Sequence, residues 1–185
     1  MISVFDLPES PRCQFIAASA KRLDSVTAVY APNAATLGLL GSSTAPDEAK
    51  IFVGNNDLPP NCTAQHSKRV IIIAKESQQA IGLLAYFCGY PNDHSLYIGE
   101  LYILASLQGQ KLGTEIVAHV AHEAQLAGGG AIYVNIGLKN WPAIRFWLHV
   151  GFDRLTRFSG APQFGADKFA SIELMRTLGV SQHEN

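Results

Sequence analysis

ELYILASLQGQKLGT, residues 100–114, carries an apolar, strand-like run into a polar turn and then directly into a helix. The turn, Gln108 to Thr114, contains Gly109 and Gly113. A helix start has backbone N–H groups without intrahelical acceptors and partial positive charge from the macrodipole, so an anion can be held there with few basic side chains. Glycine lets such a ligand come close to the backbone. The order of residues is not that of a nucleotide-hydrolysing loop, because Lys111 precedes the second glycine, and it lacks the three glycines of a dinucleotide fingerprint. A glycine-bearing turn of this kind is common in α/β proteins, so its surroundings decide.

Downstream, Leu112, Ile116, Val117, Val120 and Ala124 form one apolar stripe, predicting a helix over 109–126. Glu115, His119, Glu123 and Gln125 fall on the opposite face, read as solvated, and Gly128 to Gly130 end the helix. Upstream, the β-branched run Val70 to Ile73 and the apolar run Ala80 to Cys88 predict a hairpin, and Ser95 to Leu104 adds a third strand. Past the helix, Ala131 to Ile136 reads as a strand. Asn140 and Pro142 open a second amphipathic helix that ends at Gly151. Phe152 to Phe158 and Lys168 to Met175 are two closing strands joined by the segment 159–167. The expected fold class is α/β with a mixed, mostly antiparallel central sheet and helices on both faces. The first third is less regular: helical spacing from Phe15 to Val29 predicts a helix, Ala34 to Leu40 a second short one, and Asn55 to Asn61 a loop.

At 185 residues, 48% of them apolar, the chain is expected to form one domain. A formal charge of -1 with interspersed signs argues against a nucleic-acid partner. Cys13, Cys62 and Cys88 have neither zinc-ligand spacing nor an even count, which fits reduced thiols in a cytoplasmic protein. With no basic start ahead of an apolar stretch and no apolar run of about 18 residues, no membrane span is expected. His119, His122 and Glu123 do not make HExxH, so no metal is expected either.

The run 100–114 resembles the signature of the GNAT acetyltransferase superfamily, in which a strand leads into an Arg or Gln, x, x, Gly, x, Gly or Ala turn. Gln108 and Gly113 match its first and last positions, and Lys111 stands where the family usually has glycine. Asn140 to Phe152, NWPAIRFWLHVGF, resembles a second family segment at the expected distance, Asn, x, x, Ala, aromatic, x, x, x, Gly, Phe. The resemblance covers about residues 68–158. It implies a single GNAT-type domain over 1–185, comprising an acceptor-side segment 1–65, a cofactor-binding core 66–158 and a C-terminal hairpin 159–185. It also implies acetyl-CoA as co-substrate, its pyrophosphate on the turn Gln108, Gly109, Gln110, Lys111, Leu112, Gly113 and Thr114. The pantetheine arm would pair with the backbone near Ile103 and Leu104, Asn140 would contact it or help splay the strands, and Phe146 would form part of the cofactor wall.

Amine acylation needs a base for the ammonium and an acid for the departing thiolate. Glu100, a carboxylate in an apolar strand just ahead of the turn, is the expected base, since burial there raises a carboxyl's pKa. The family's usual tyrosine in the second helix is replaced by Trp147, which is no useful proton donor. Tyr102, on the same side of the strand as Glu100, is a candidate acid, as are Tyr97 and water, with aromatic packing as the alternative reading of either tyrosine. The acceptor is a small-molecule or peptide amine, expected to enter between the N-terminal helices and the loop 159–167, where Asp167 would meet a cation. Either a monomer or a homodimer is compatible with this reading. The competing function is a catalytically silent acyl-CoA-binding sensor or scaffold.

Overall fold

The computed structural model describes residues 2–33, 44–55, 57–163 and 165–179. Seven strands make one sheet: β1 (Cys13–Ala17), β2 (Ser67–Ala74), β3 (Ala80–Cys88), β4 (Ser95–Ile103), β5 (Ala131–Gly137), β6 (Arg154–Gly160) and β7 (Ala170–Thr177). Their order is β1-β2-β3-β4-β5-β7-β6, and every neighbouring pair is antiparallel except β4 and β5. Among the described residues, four α-helices flank it: α1 (Leu23–Tyr30), α2 (Ala45–Gly54), α3 (Leu112–Leu126) and α4 (Trp141–His149). Among the described residues, no helix is long and apolar enough to cross a membrane.

Alternating strand residues feed two cores. Ile72, Leu84, Tyr86, Leu96 and Ile98 pack with Ile116, Val117 and Val120 of α3 and Ile144 and Trp147 of α4. Ile71, Leu83 and Ala85 pack on the other face with Val26, Val29 and Tyr30 of α1 and Ala49 and Phe52 of α2. The meander β2-β3-β4 and the long helix lie where hydrophobic periodicity puts them.

The N-terminal third departs from expectation. Phe15 to Ala17 belong to a strand, because Cys13–Ala17 pairs along β2 from Ala74 to Val70. A short apolar run carries too little periodicity to separate strand from helix, and the open edge of β2 decides. The helix begins only at Leu23, after a single 3-10 turn. The helix expected over Ala34 to Leu40 lies outside the described residues. Helix α2 was not anticipated, yet Thr44-Ala-Pro-Asp carries its signal: Pro46 sits in the first turn, and the Thr44 hydroxyl donates to the Asp47 carboxylate at 2.6 Å.

Glu115 and His119 do not face open solvent as their stripe suggested. The N-terminal segment covers them. The Ser10 hydroxyl and the Arg12 guanidinium both donate to the Glu115 carboxylate, at 2.7 and 2.6 Å, and the His119 ring stacks on Phe15 with its Nε2 2.8 Å from the Pro8 carbonyl.

Gly99 fixes the course of β4. The ladder with β3 runs Ala85 to Glu100 and then Tyr86 to Ile98, leaving Gly99 as a bulge. A Cβ there would lie 2.6 Å from a ring carbon of Phe87, so no larger residue fits without displacing that ring. Because of the bulge, Leu96 and Ile98 share a face with Leu101 and Ile103. Glu100 and Tyr102 therefore turn toward α1. Beyond this point β4 and β5 separate: their ladder covers Ser95 to Ile98 with Ala131 to Val134, while Asn135 to Gly137 pair with β7 alone.

Candidate active site

The splayed ends of β4 and β5 form the sides of a cleft of about 750 Å³, closed at one end by the 108–114 turn and α4 and at the other by Asn33 and Glu48. Its size lies within the usual range for small-molecule sites. Of the residues expected to act, Glu100, Tyr102, Ile103, Gln108, Gly109, Lys111, Leu112, Gly113, Thr114, Asn140 and Phe146 all line it. Leu104 and Gln110 do not. Leu104 spends its N–H on the Ile81 carbonyl of β3 and packs toward α1 and α2. Gln110 faces away, and its carbonyl accepts from Arg12 at 3.1 Å. Tyr97 precedes the bulge and stacks on Tyr90 outside the cleft. Asp167, exposed and next to Lys168, also lies outside it.

The turn is built to leave amides unsatisfied. Gly109 (φ 77°) and Lys111 (φ 62°) both take left-handed conformations, so α3 starts at Leu112 rather than at residue 109. Lys111 occupies the cap position and offers no side-chain acceptor. As a result, no amide from Gly109 through Thr114 donates to an acceptor among the described residues. The turn is held rigid from outside: the Gln108 side-chain amide donates to the Ile103 carbonyl at 3.0 Å, and Arg12 ties the Gln110 carbonyl to Glu115. Burial raises Glu115, but the hydrogen bonds from Arg12 and Ser10 outweigh it and hold the carboxyl below its usual range, so the brace stays charged. Gly113 is glycine for space, since a Cβ would lie 3.0 Å from the Phe146 ring. At Gly109 an added Cβ would meet nothing within 4 Å, so its requirement is conformational, and a ligand has room to approach. Asn140 caps α4, its side chain accepting from the Ala143 amide at 3.3 Å, which sets Phe146 and Trp147 against the turn.

At the opposite end the chemistry lies in side chains. The Tyr30 hydroxyl donates to Glu100 Oε2 at 2.5 Å, and the Tyr30 ring stacks edge-on against Tyr102. Behind Glu100 lies Arg69 of β2, 8% exposed, sandwiched by Phe52 and Phe87. Its guanidinium donates to Asn55 and Asp57, while its third nitrogen stands 3.9 Å from Glu100 Oε1 without a hydrogen bond among the described residues. Burial pushes the Glu100 carboxyl up to about 7, against the pull of the Tyr30 hydrogen bond, and the negative charge of Asp57 adds to the rise. Burial likewise raises Tyr102 well above the ordinary phenol range, so it keeps its proton through neutral pH. Sequence reasoning missed Tyr30, Arg69 and the Arg12 brace, which only the folded chain brings to the site. It also missed Gly99, although a glycine inside a strand pattern signals a bulge.

Comparison with known proteins bears on the family and the fold. The family model described as the acetyltransferase (GNAT) family matches residues 44–152. An aminoalkylphosphonate N-acetyltransferase of Salmonella typhimurium is 28% identical over 83 residues, 43% of this chain and 54% of that protein, so the match spans about half of that relative's length. Among solved structures, an enzyme described as a probable acetyltransferase of the same family from Chromobacterium violaceum superposes with a TM-score of 0.74, at 14% identity over 92% of this chain and 85% of that one. A Salmonella typhimurium acetyl transferase that modifies the N-terminal serine of a ribosomal protein gives 0.72, at 17% identity, covering 92% and 97%.

Proposed function

This chain belongs to the acetyltransferase (GNAT) family, and on that footing we propose that it moves an acetyl group from acetyl-CoA to a primary amine by direct transfer. The observation that carries the reading is the set of undonated amides from Gly109 to Thr114 at one end of a cleft whose other end holds a partly buried carboxylate. Acetyl-CoA supplies the activated acyl group. The turn suits its pyrophosphate: oriented N–H groups and the α3 dipole offset negative charge, with Lys111 beside them. The edge of β4 freed from β5, at Ile103, suits the amide-bearing arm.

Glu100 acts as the base. Above pH 7 its carboxylate takes a proton from the acceptor ammonium, and Tyr30 fixes its orientation through Oε2. The freed nitrogen forms the new C–N bond as the C–S bond breaks, Tyr102 gives its phenolic proton to the departing sulfur, and the second proton that the nitrogen sheds as the amide forms returns to the Tyr102 oxygen. Trp147 takes no part in proton transfer. Buried against Phe146 and Phe152, it forms a wall. Holding both partners in one cleft supplies most of the acceleration.

The test pairs calorimetry of acetyl-CoA binding with thiol release from pH 5.5 to 9. Binding, together with a kcat/KM that rises through about pH 7 to a plateau, is expected. Binding without thiol release for any amine returns the protein to the class of silent acyl-CoA sensors, and absence of binding removes the reading altogether.

A further inference from the structure

Arg12 stands just ahead of β1 with both of its backbone groups engaged. Its amide donates to the Glu115 carboxylate at 3.1 Å, and its carbonyl accepts from the Lys75 amide at 2.9 Å. Ser10 closes the loop beside it, exchanging bonds with Cys13 and giving its hydroxyl to Glu115 at 2.7 Å. The guanidinium is thereby aimed at the entrance of α3, where Nε donates to Glu115 at 2.6 Å and Nη1 to the Gln110 carbonyl at 3.1 Å. Neither Arg12 nor Gln110 lines the cleft, so the side chain acts through that carbonyl rather than on a ligand.

The Gln110 carbonyl and the Lys111 amide belong to one peptide plane, and in a trans peptide they point in opposite directions. Holding the carbonyl out toward Arg12 turns the Lys111 N–H inward, to the side of the cleft that Lys111 lines. This orientation opposes the local preference of the chain, because Lys111 sits at φ 62°, a left-handed conformation unfavourable for a residue with a Cβ. Turning the 110–111 peptide over would return Lys111 to negative φ, but it would also bring the Gln110 carbonyl to the place of the N–H. An anion would then meet partial negative charge.

We propose that Arg12 is a positioning residue for the acyl donor, one that locks the 110–111 peptide with its N–H toward the pyrophosphate and against the preference of Lys111 for an ordinary backbone conformation. The inference rests on the pyrophosphate placement proposed above and adds to it a residue outside the cleft. Without the guanidinium the inverted peptide is populated, and affinity for acetyl-CoA falls with the fraction of turns still correctly oriented.

Calorimetry on the full chain tests this with acetyl-CoA and with S-acetylpantetheine, which has the same arm and acyl group but no pyrophosphate. Arg12→Met keeps the aliphatic stem and should weaken acetyl-CoA about tenfold, narrowing by the same factor its lead over S-acetylpantetheine. Arg12→Lys, whose ammonium lacks the planar fork that bridges Glu115 and Gln110, should recover only part of the loss. Because glycine takes positive φ without steric cost, Arg12→Met in the Lys111→Gly background should weaken acetyl-CoA less than about threefold. A loss that Lys111→Gly leaves undiminished, a fall shared equally by the two donors, or an Arg12→Met protein as tight as wild type overturns the inference and leaves acetyl-CoA binding standing. Wild-type protein that binds no acetyl-CoA overturns both.

Discussion

Where the Gln108–Thr114 turn presents main-chain amides, the Glu48, Glu100 and Tyr102 end of the same cleft presents side chains, and the two regions are vulnerable in different ways. Amides cannot be substituted, so the turn is damaged through shape, at Gly109, Gly113 or the Arg12 brace. Carboxylates can be neutralised at constant shape, so the other end is damaged through charge. A cleft built this way should let binding of the acyl donor and activation of the acceptor fail separately.

The most damaging change should be Glu100→Gln, which keeps the shape of the Glu100 end and removes the proposed base. Turnover should fall by about 10²- to 10⁴-fold, while calorimetric affinity for acetyl-CoA stays within about twofold. If affinity collapses too, the two ends are one unit. The same variant checks stability against pH. Glu100 is raised from 4.5 to about 7 on folding, so the stability tied to its neutral form is complete below 4.5 and is lost as pH rises through 7. In Glu100→Gln, denaturant midpoints should lose this part of their pH dependence, on the order of 3 kcal/mol at most.

Gly113→Val tests the other end. Its branched side chain must displace the Phe146 ring, so acetyl-CoA affinity should weaken about tenfold or more, with the rise of residual activity still centred near pH 7. A shifted pH profile would mean that the turn reaches the base. A smaller effect is expected of Arg69→Met. Removing the cation behind Glu100 removes an influence that lowers its pKa, so the activity limb should move alkaline by about one unit, and Arg69→Lys should recover part of the shift. Smallest of all, Lys111→Gly should relieve a left-handed non-glycine residue and stabilise the fold by about 1 kcal/mol in thermal melts. Acetyl-CoA affinity should change by less than about threefold, since the proposed hold is by the amides and not the ammonium. A large loss would transfer the phosphate-binding role to the Lys111 side chain.

The same contrast explains what could be read from the amino acids in order. The turn and its two flanking elements are contiguous in sequence, so strand periodicity, glycine placement and the stripe from Leu112 to Ala124 marked them directly. Glu100 was visible as a carboxylate in an apolar strand. Its partners were not, because Tyr30 is 70 residues away and arrives on a helix whose start was obscured by a strand with ambiguous spacing. Arg69 gave no signal either. It looks like the polar beginning of a strand, and only packing between Phe52 and Phe87 reveals a buried cation. Similarly, Arg12 and Ser10 reach Glu115 across more than a hundred residues, a contact no local pattern encodes.

The extra residue in β4 combines two tasks that deletion would pull apart. If β4 kept Gly99 but ran without the bulge, strict alternation would swing Glu100 to the side of Ile98, into the apolar layer beneath α3 and away from Tyr30. If Gly99 were cut out, alternation would return Glu100 to its present side, but the local kink would go with it, and β4 could continue alongside β5 past Val134. The first chain would own an open crevice with the Glu100 carboxyl pointing the wrong way. The second would aim that carboxyl correctly at a crevice zipped shut.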